Sequence, residues 1–260
     1  MEPEQEHILQ QDERTYGTRV YVWFALLALF LLATLLVKAK WQQHVPVRQV
    51  VVEGIHILSK DDIIHLMKLP PNVPMYEMDL TSIQQNIIAN SFVKQAVVKR
   101  DSPEMLSVTI EERRPAAMLV AHDLFYIDED GIVLPYLPST ETYDIPVISG
   151  YDSTGGIQSG QKIMNPDVLD ALEIIKTSKA VSDNLFHTIS EIRVRKGHDM
   201  VLFSFDTGIP IIFGKGETAK KLVKLDAFWQ KFVQNSETKD IQYIDLRFDD
   251  QVVVSRKSIS

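Results

Sequence analysis

Near the start of the chain, 18 consecutive residues from Val20 to Val37 carry no charge (VYVWFALLALFLLATLLV). At about 1.5 Å per residue, a helix of this run is about 27 Å long, close to the thickness of a bilayer's hydrocarbon core. A helix also satisfies its own backbone hydrogen bonds, as hydrocarbon requires. The sequence therefore predicts a membrane-spanning helix over 20–37. The residues predicted to anchor it are Val20, Trp23, Leu27, Leu31, Leu35 and Val37.

Two other interpretations of this run remain open, a cleaved signal peptide and a buried helix. A signal peptide has about 7–15 apolar residues and a small-residue cleavage site, whereas KAKWQQ follows here. Lys and Arg flank the run on both sides, so their positions do not decide its orientation. We expect a cytoplasmic tail over 1–19 and an exported C-terminal part, because the sequence shows no second span and long domains translocate largely regardless of charge.

Composition excludes several classes of function. The formal net charge is −8, which argues against nucleic acid as the main partner because such binding needs concentrated cations. The chain has no cysteine, which excludes disulfides, thiolate catalysis and cysteine-bound zinc. Apolar residues make up 45% of the chain, enough for a folded core.

After a spacer over 38–46, residues 47–115 show alternation of period two, then helical spacing, then alternation again. Gly54 closes the first strand, and Ser59 and Asp79 are suited to cap two helices. The predicted order is β-α-α-β-β. Its elements are a strand over 47–54, helices over 59–68 and 79–90, and strands over 92–101 and 104–113.

Residues 116–260 predict a second domain of short, mostly antiparallel strands with two helices. A stretch rich in Pro, Gly, Ser and Thr predicts a long loop over 138–165. Helices are expected near 166–179 and for about 20 residues from Thr218. Two strands separated by Asp249 and Asp250 close the chain. The fold class is therefore α+β, with one membrane helix and two folded domains.

The β-α-α-β-β segment resembles a POTRA domain, most specifically in VKQAVVKRDSPEMLSVTIEERRPAA (93–117). With DIPVISG (144–150), IIFGKGETAKKL (211–222) and YIDLRFDD (243–250), the chain resembles the FtsQ/DivIB family of bacterial cell-division proteins. Two departures are Ser91, where the family often has proline, and Phe248, where tyrosine is expected. An outer-membrane barrel of 16 strands would need about 160 residues, whereas only 145 follow Pro115.

The resemblance implies a non-catalytic scaffold in the inner membrane, concentrated at the division septum. It would recruit small bitopic coiled-coil proteins resembling FtsB/DivIC and FtsL to septal peptidoglycan synthesis, and could contact other membrane proteins of the divisome. We expect a partner segment to add to the last strand by β-augmentation. The predicted partner-binding residues are Arg195, Phe248, Asp250, Gln251, Val252, Val253 and Val254.

No motif predicts catalysis, a cofactor, a metal or a small-molecule substrate. Residues 128–131 (DEDG) do not fit an EF-hand loop, and 214–218 (GKGET) lack the spacing of a phosphate-binding loop. The sequence contains neither HExxH nor GxSxG. Two rival functions remain open: an anchored POTRA chaperone or secretion component for outer-membrane proteins, and an anchored periplasmic hydrolase with convergent carboxylates.

Overall fold

The computed structural model describes residues 21–38, 45–71, 73–137, 143–233 and 240–257. The predicted tail over 1–19, Val20 and most of the predicted spacer lie outside these residues. The first described element is the apolar helix α1 (Tyr21–Lys38), which is long and apolar enough to cross a membrane. The described residues form two compact units. One comprises residues up to 53, 60–85 and 97–109, and the other comprises 54–59, 86–96 and the residues from 110 onward.

The order β-α-α-β-β is present as predicted. Its elements are β1 (Gln49–Glu53), α2 (Lys60–Met67), α3 (Leu80–Ile88), β2 (Val93–Ser102) and β3 (Met105–Glu112), with a short 3-10 turn at Met75–Glu77. The three strands form a sheet in the order β1-β3-β2, and β1 runs parallel to β3.

Asp79 begins α3 as an N-cap. Its carboxylate accepts hydrogen bonds from the Thr81 N–H at 2.9 Å and the Ser82 hydroxyl at 2.6 Å. The Ser82 hydrogen bond is the main reason that the pKa of Asp79 lies below its usual value. This cap confirms the sequence-based assignment of the helix start, because it satisfies N–H groups that have no partner within the helix.

The second unit is built on a nine-stranded sheet. Its strands are β4 (Pro115–Val120), β5 (Leu124–Asp128), β6 (Val133–Pro135), β7 (Val147–Ser149), β8 (Ile189–Val194), β9 (Met200–Ser204), β10 (Pro210–Gly214), β11 (Ile241–Asp245) and β12 (Val253–Arg256). Their order is β12-β11-β10-β9-β8-β7-β4-β5-β6. Three neighbouring pairs are parallel, β10 with β11, β4 with β7 and β7 with β8, and the other five are antiparallel.

Helices α4 (Pro166–Val181), α5 (Asp183–Thr188) and α6 (Thr218–Phe228) belong to this unit, and a π-helical turn (Trp229–Val233) extends α6. The helices contribute Val168, Leu222 and Leu225 to the same buried cluster as strand residues Ile211 and Ile244. Full burial of such a side chain contributes roughly 1.5–3 kcal/mol. The result is an α+β fold with one N-terminal apolar helix and a mostly β C-terminal part.

Two elements of the second unit depart from the sequence-based prediction. The expected loop over 138–165 contains β7, which pairs with both β4 and β8 near the middle of the sheet. The short helix α5 follows α4 directly, where no helix was predicted. The helix expected near 166–179 is α4, and Asn165 caps it by accepting the N–H groups of Asp167 and Val168. The helix expected from Thr218 is described only as far as Val233.

Candidate partner-binding edge

The last strand, β12, lies at one end of the nine-stranded sheet. It pairs antiparallel with β11, with Ile244 opposite Val254 and Asp245 opposite Val253. Among the described residues, no strand pairs with the other side of β12. A strand in this position presents backbone N–H and C=O groups to which another chain can pair.

The valines of the closing segment are divided between the two faces of the sheet. Val252 and Val254 are partly buried and pack against the large core of the second unit. Because side chains alternate along a strand, Val253 lies on the opposite face. The side chains therefore fix the strand against the core, while its outer backbone edge stays uncovered in the described part of the chain.

The turn before β12 is held by the neighbouring helix. The Lys224 ammonium group, on α6, donates to the backbone oxygens of Phe248 at 2.8 Å and Asp249 at 2.9 Å. The Phe248 side chain is 46% exposed, so it does not fill the interior. This arrangement presents an aromatic ring at the surface, beside the open edge.

Asp245 and Arg247 form an ion pair at the end of β11. The Arg247 guanidinium lies 2.7 Å from the Asp245 carboxylate, and the Arg247 N–H donates to the same carboxylate at 3.0 Å. The side-chain hydrogen bond from Arg247 lowers the pKa of Asp245 despite the burial of that carboxyl. The Asp245 charge therefore already has a partner within the chain.

A groove of about 560 Å³ runs beside the edge, between the C-terminal part of α6 with its π-helical turn and β12. Its apolar wall includes Phe228 and Phe232, whose rings stack with centroids 5.0 Å apart. Its charged residues are predominantly basic. Its lining includes Lys224, Phe228, Lys231, Phe232, Val254 and Arg256.

Six of the seven predicted partner-binding residues lie together in this region. Phe248 and Asp250 are in the turn, Gln251 and Val252 lead into β12, and Val253 and Val254 begin that strand. Arg195 does not belong to this group. Placing Arg195 in a site with the last strand requires that its strand adjoin that one, and this is not so: Arg195 follows β8, and three strands separate β8 from β12. With strands about 4.8 Å apart, the separation is about 19 Å.

The acidic segment 128–131 forms a turn. The Asp128 carboxylate accepts the N–H groups of Asp130 and Ile132 and pairs with Arg113 at 2.7 Å. Across the described residues, no group of three or more His, Asp or Glu side chains has the arrangement needed to hold a metal.

Comparison with known proteins gives matches along most of the chain. A family model described as FtsQ/DivIB, C-terminal related, matches residues 114–255, and one described as POTRA domain, FtsQ-type, matches residues 45–113. The chain belongs to the FtsQ/DivIB family. It is 28% identical to a cell division protein FtsQ of Geobacter sp. (strain M21) over 205 residues, 79% of this chain and 74% of the relative.

Two other FtsQ proteins show the same breadth of similarity. The FtsQ of Geotalea daltonii is 29% identical over 79% of this chain and 74% of its own length. The FtsQ of Salinibacter ruber is 25% identical over 85% of this chain and 86% of its own length. Membership of the FtsQ/DivIB family, together with α1, identifies a membrane-anchored division protein.

Within this FtsQ/DivIB chain, the side chains of α1 are exposed along its whole described length. Five of the predicted anchor residues lie in it: Trp23, Leu27, Leu31, Leu35 and Val37. Val20 lies outside the described residues. Contact of these side chains with lipid stays a prediction.

Sequence reasoning missed the aromatic wall of the groove. Phe228 and Phe232 are four residues apart, the spacing of neighbours on one helix face. This spacing was the available signal, but four lysines on the same helix (Lys220, Lys221, Lys224 and Lys231) give one of its sides a basic character that obscures it. In the structure Lys221 is buried, its ammonium group donates to the Lys215 carbonyl at 2.6 Å, and burial lowers its pKa.

Proposed function

We propose that this chain is a non-catalytic scaffold of the divisome that recruits small bitopic coiled-coil proteins resembling FtsB/DivIC and FtsL. Recruitment occurs by β-augmentation, in which an extended partner segment adds to β12. The observation that carries the proposal is the one-sided pairing of β12 at the end of the sheet. Backbone hydrogen bonds along such an edge supply affinity for any extended segment.

Specificity comes from the side chains beside the edge. A partner segment paired with β12 directs alternate side chains towards the groove at Phe228 and Phe232. Aromatic side chains in such pockets commonly carry much of an interface's binding energy. Lys224 and Arg256 give the groove a basic character that suits a partner segment containing carboxylates. Lys224 is also tied to the turn, so its position is fixed before binding.

The membrane anchor contributes by confining scaffold and partners to one surface. A second contact between molecules that are already tethered behaves as an intramolecular step, with a raised effective concentration. A four-residue strand edge with one groove is therefore enough for recruitment. The POTRA domain spaces the β domain from the bilayer in this scheme. The family match over 114–255 favours this function over that of a POTRA chaperone for outer-membrane proteins.

The test is co-purification of the partners with full-length variants from membranes. Val253→Asp places a carboxylate on the edge strand, and Phe248→Ala removes the exposed ring. Each should reduce partner recovery by at least tenfold. Val223→Asp is the matched control, because Val223 is an exposed valine on α6. Thermal unfolding of each variant monitors the fold. Unchanged recovery with the two edge variants would contradict the proposal.

A further inference from the structure

The described part of the chain has four sheet edges, and three of them are accounted for. β2 is an edge of the small sheet, and its exposed residues include Lys94, Lys99 and Asp101, charges of the kind that discourage further pairing. β6 is covered by the chain itself, because its Val133 N–H donates to Gln161 and its Val133 carbonyl accepts the Gly160 N–H. β12 is the edge proposed above for partners. The fourth edge is β1.

Among the described residues, β1 has no strand beside its outer edge. In its register with β3, Val50 lies beside Leu106 and Val52 lies beside Val108. Leu106 and Val108 are fully buried. Val50 and Val52 therefore point towards the core face of the sheet. Gln49, Val51 and Glu53 lie on the other face, next to the partly or fully exposed Met105, Ser107 and Thr109.

We propose that β1 pairs with β1 of a second copy of this chain, antiparallel and about a two-fold axis at Val51. Such isologous contacts are the usual way in which identical chains associate. The sequence QVVVE (49–53) is complementary to itself in this arrangement. Val51 opposes Val51, Val50 opposes Val52, and the Gln49 amide opposes the Glu53 carboxylate of the other copy. The paired sheet has six strands. Val50 and Val52 of the two copies, four valines in all, lie side by side on its core face.

The two-fold register at Val51 gives the fullest pairing of β1 with β1. A register in which Glu53 opposes Glu53 places two carboxylates together, which is destabilising, and leaves Val50, Val51 and Val52 without partners within β1. The in-register arrangement pairs all five residues. It also sets each carboxylate opposite an amide that can donate to it.

Anchoring explains how so short a strand can associate. Five paired residues form a contact well below the roughly 1,200 Å² of a specific, stable interface. Gln49 follows Lys38 by eleven residues, so β1 cannot lie more than about 40 Å along the chain from the end of α1. Two copies held in one membrane therefore meet at a raised effective concentration. Pairing of two β1 strands therefore depends on the membrane anchor.

The test uses disulfide formation between full-length chains in native membranes, because the chain contains no cysteine. Residues opposed across antiparallel strands have Cα atoms about 4.5–5.5 Å apart, within the range that a disulfide spans. Val51→Cys should therefore give a covalent dimer on mild oxidation. Gln49→Cys alone should not, because positions 49 of the two copies are about 14 Å apart along the strands.

A mixed experiment determines the register. Membranes that contain a Gln49→Cys chain and a Glu53→Cys chain with different tags should form the mixed dimer. Adding Val51→Lys to both chains, which opposes two ammonium groups, should reduce this dimer at least tenfold. Thr109→Cys on β3 is the control for random collision. The proposal is overturned if Val51→Cys forms no dimer, or if Gln49→Cys and Thr109→Cys alone form dimers as readily.

Discussion

At the scale of single residues, the Asp245 carboxyl is buried at the end of β11 and stays ionised because Arg247 supplies hydrogen bonds to it. The folded state lowers the pKa of this carboxyl below its unfolded value. A group of this kind stabilises the fold at a pH above its unfolded pKa of about 3.9. This stabilisation of the fold is lost as the pH falls from about 3.9 through the lower pKa of the folded state.

Asp245→Asn should therefore reduce the free energy of unfolding by about 1–2 kcal/mol at pH 7. The difference from the original chain should shrink as the pH falls below about 4, because the carboxyl of the original chain then becomes protonated too. Urea unfolding in detergent at a series of pH values measures both quantities. A difference that stays constant down to pH 3 would show that the charge is not responsible.

Tyr151 presents the opposite case, a buried polar atom without a hydrogen-bond partner. Its hydroxyl oxygen is fully buried and has no partner in the described structure, and burial raises the pKa of Tyr151 to about 12. An unsatisfied buried polar group costs roughly 1–3 kcal/mol. Tyr151→Phe removes that group while keeping the ring in the core.

We expect Tyr151→Phe to raise the melting temperature by about 2–4 °C, the shift that about 1 kcal/mol produces in a protein of this size. Tyr136→Phe is the control, because Tyr136 is exposed; the melting temperature of this variant should stay unchanged. Differential scanning fluorimetry is sufficient. A lower melting temperature for Tyr151→Phe would mean that the hydroxyl makes a favourable contact.

At the scale of elements, one carboxylate at the end of β3 orders the segment that follows β1. Glu112 accepts three backbone hydrogen bonds, from the N–H groups of His56, Ile57 and Leu58, at 2.8–2.9 Å. This segment lies between β1 and α2, so its conformation depends on a residue more than 50 positions away in the sequence.

Glu112→Ala should therefore cost about 2–3 kcal/mol, because several hydrogen bonds to a charged acceptor are lost together. Glu111→Ala is the matched control. Glu111 is exposed and, in the described part of the chain, pairs only with Lys94, at 3.6 Å. An exposed pair of this kind contributes about 0–1 kcal/mol. Hydrogen exchange of the amides of residues 56–58 should increase in the first variant and not in the second. Equal effects of the two variants would contradict this role of Glu112.

The elements also show what local sequence can and cannot predict. Helix α3 was predicted because a capping residue, Asp79, marks its start. Strand β7 was missed because three residues, VIS, are too few to show alternation, and its place between two parallel neighbours is decided by tertiary packing. The open edge was expected from the position of the last strand, whereas the location of Arg195 depended on strand order, which no local pattern encodes.

At the scale of the whole molecule, the anchor and the folded parts predict a defined topology across the membrane. The predicted N-terminal tail is short, and the folded residues from 45 onward follow α1. We expect the tail in the cytoplasm and these residues outside it, since a long domain translocates largely regardless of its charge.

Single cysteines introduced into the cysteine-free chain test this topology. Lys196→Cys, in the exposed turn between β8 and β9, should react in intact spheroplasts with a maleimide that cannot cross membranes. Glu4→Cys, in the tail, should react only after lysis. Comparing the labelled fractions before and after lysis gives the result directly. The reverse pattern would place the folded residues in the cytoplasm.

The covered β6 edge has a consequence for the proposed recruitment of partners. The large sheet is closed at that end by residues 160–163 of its own chain and, in the described residues, accepts an extra strand only at β12. Under the proposed recruitment, the large sheet of each molecule would therefore load one extended partner segment. The number of such complexes would then be capped by the copy number of this chain, so excess partner would remain unbound instead of stacking into longer arrays.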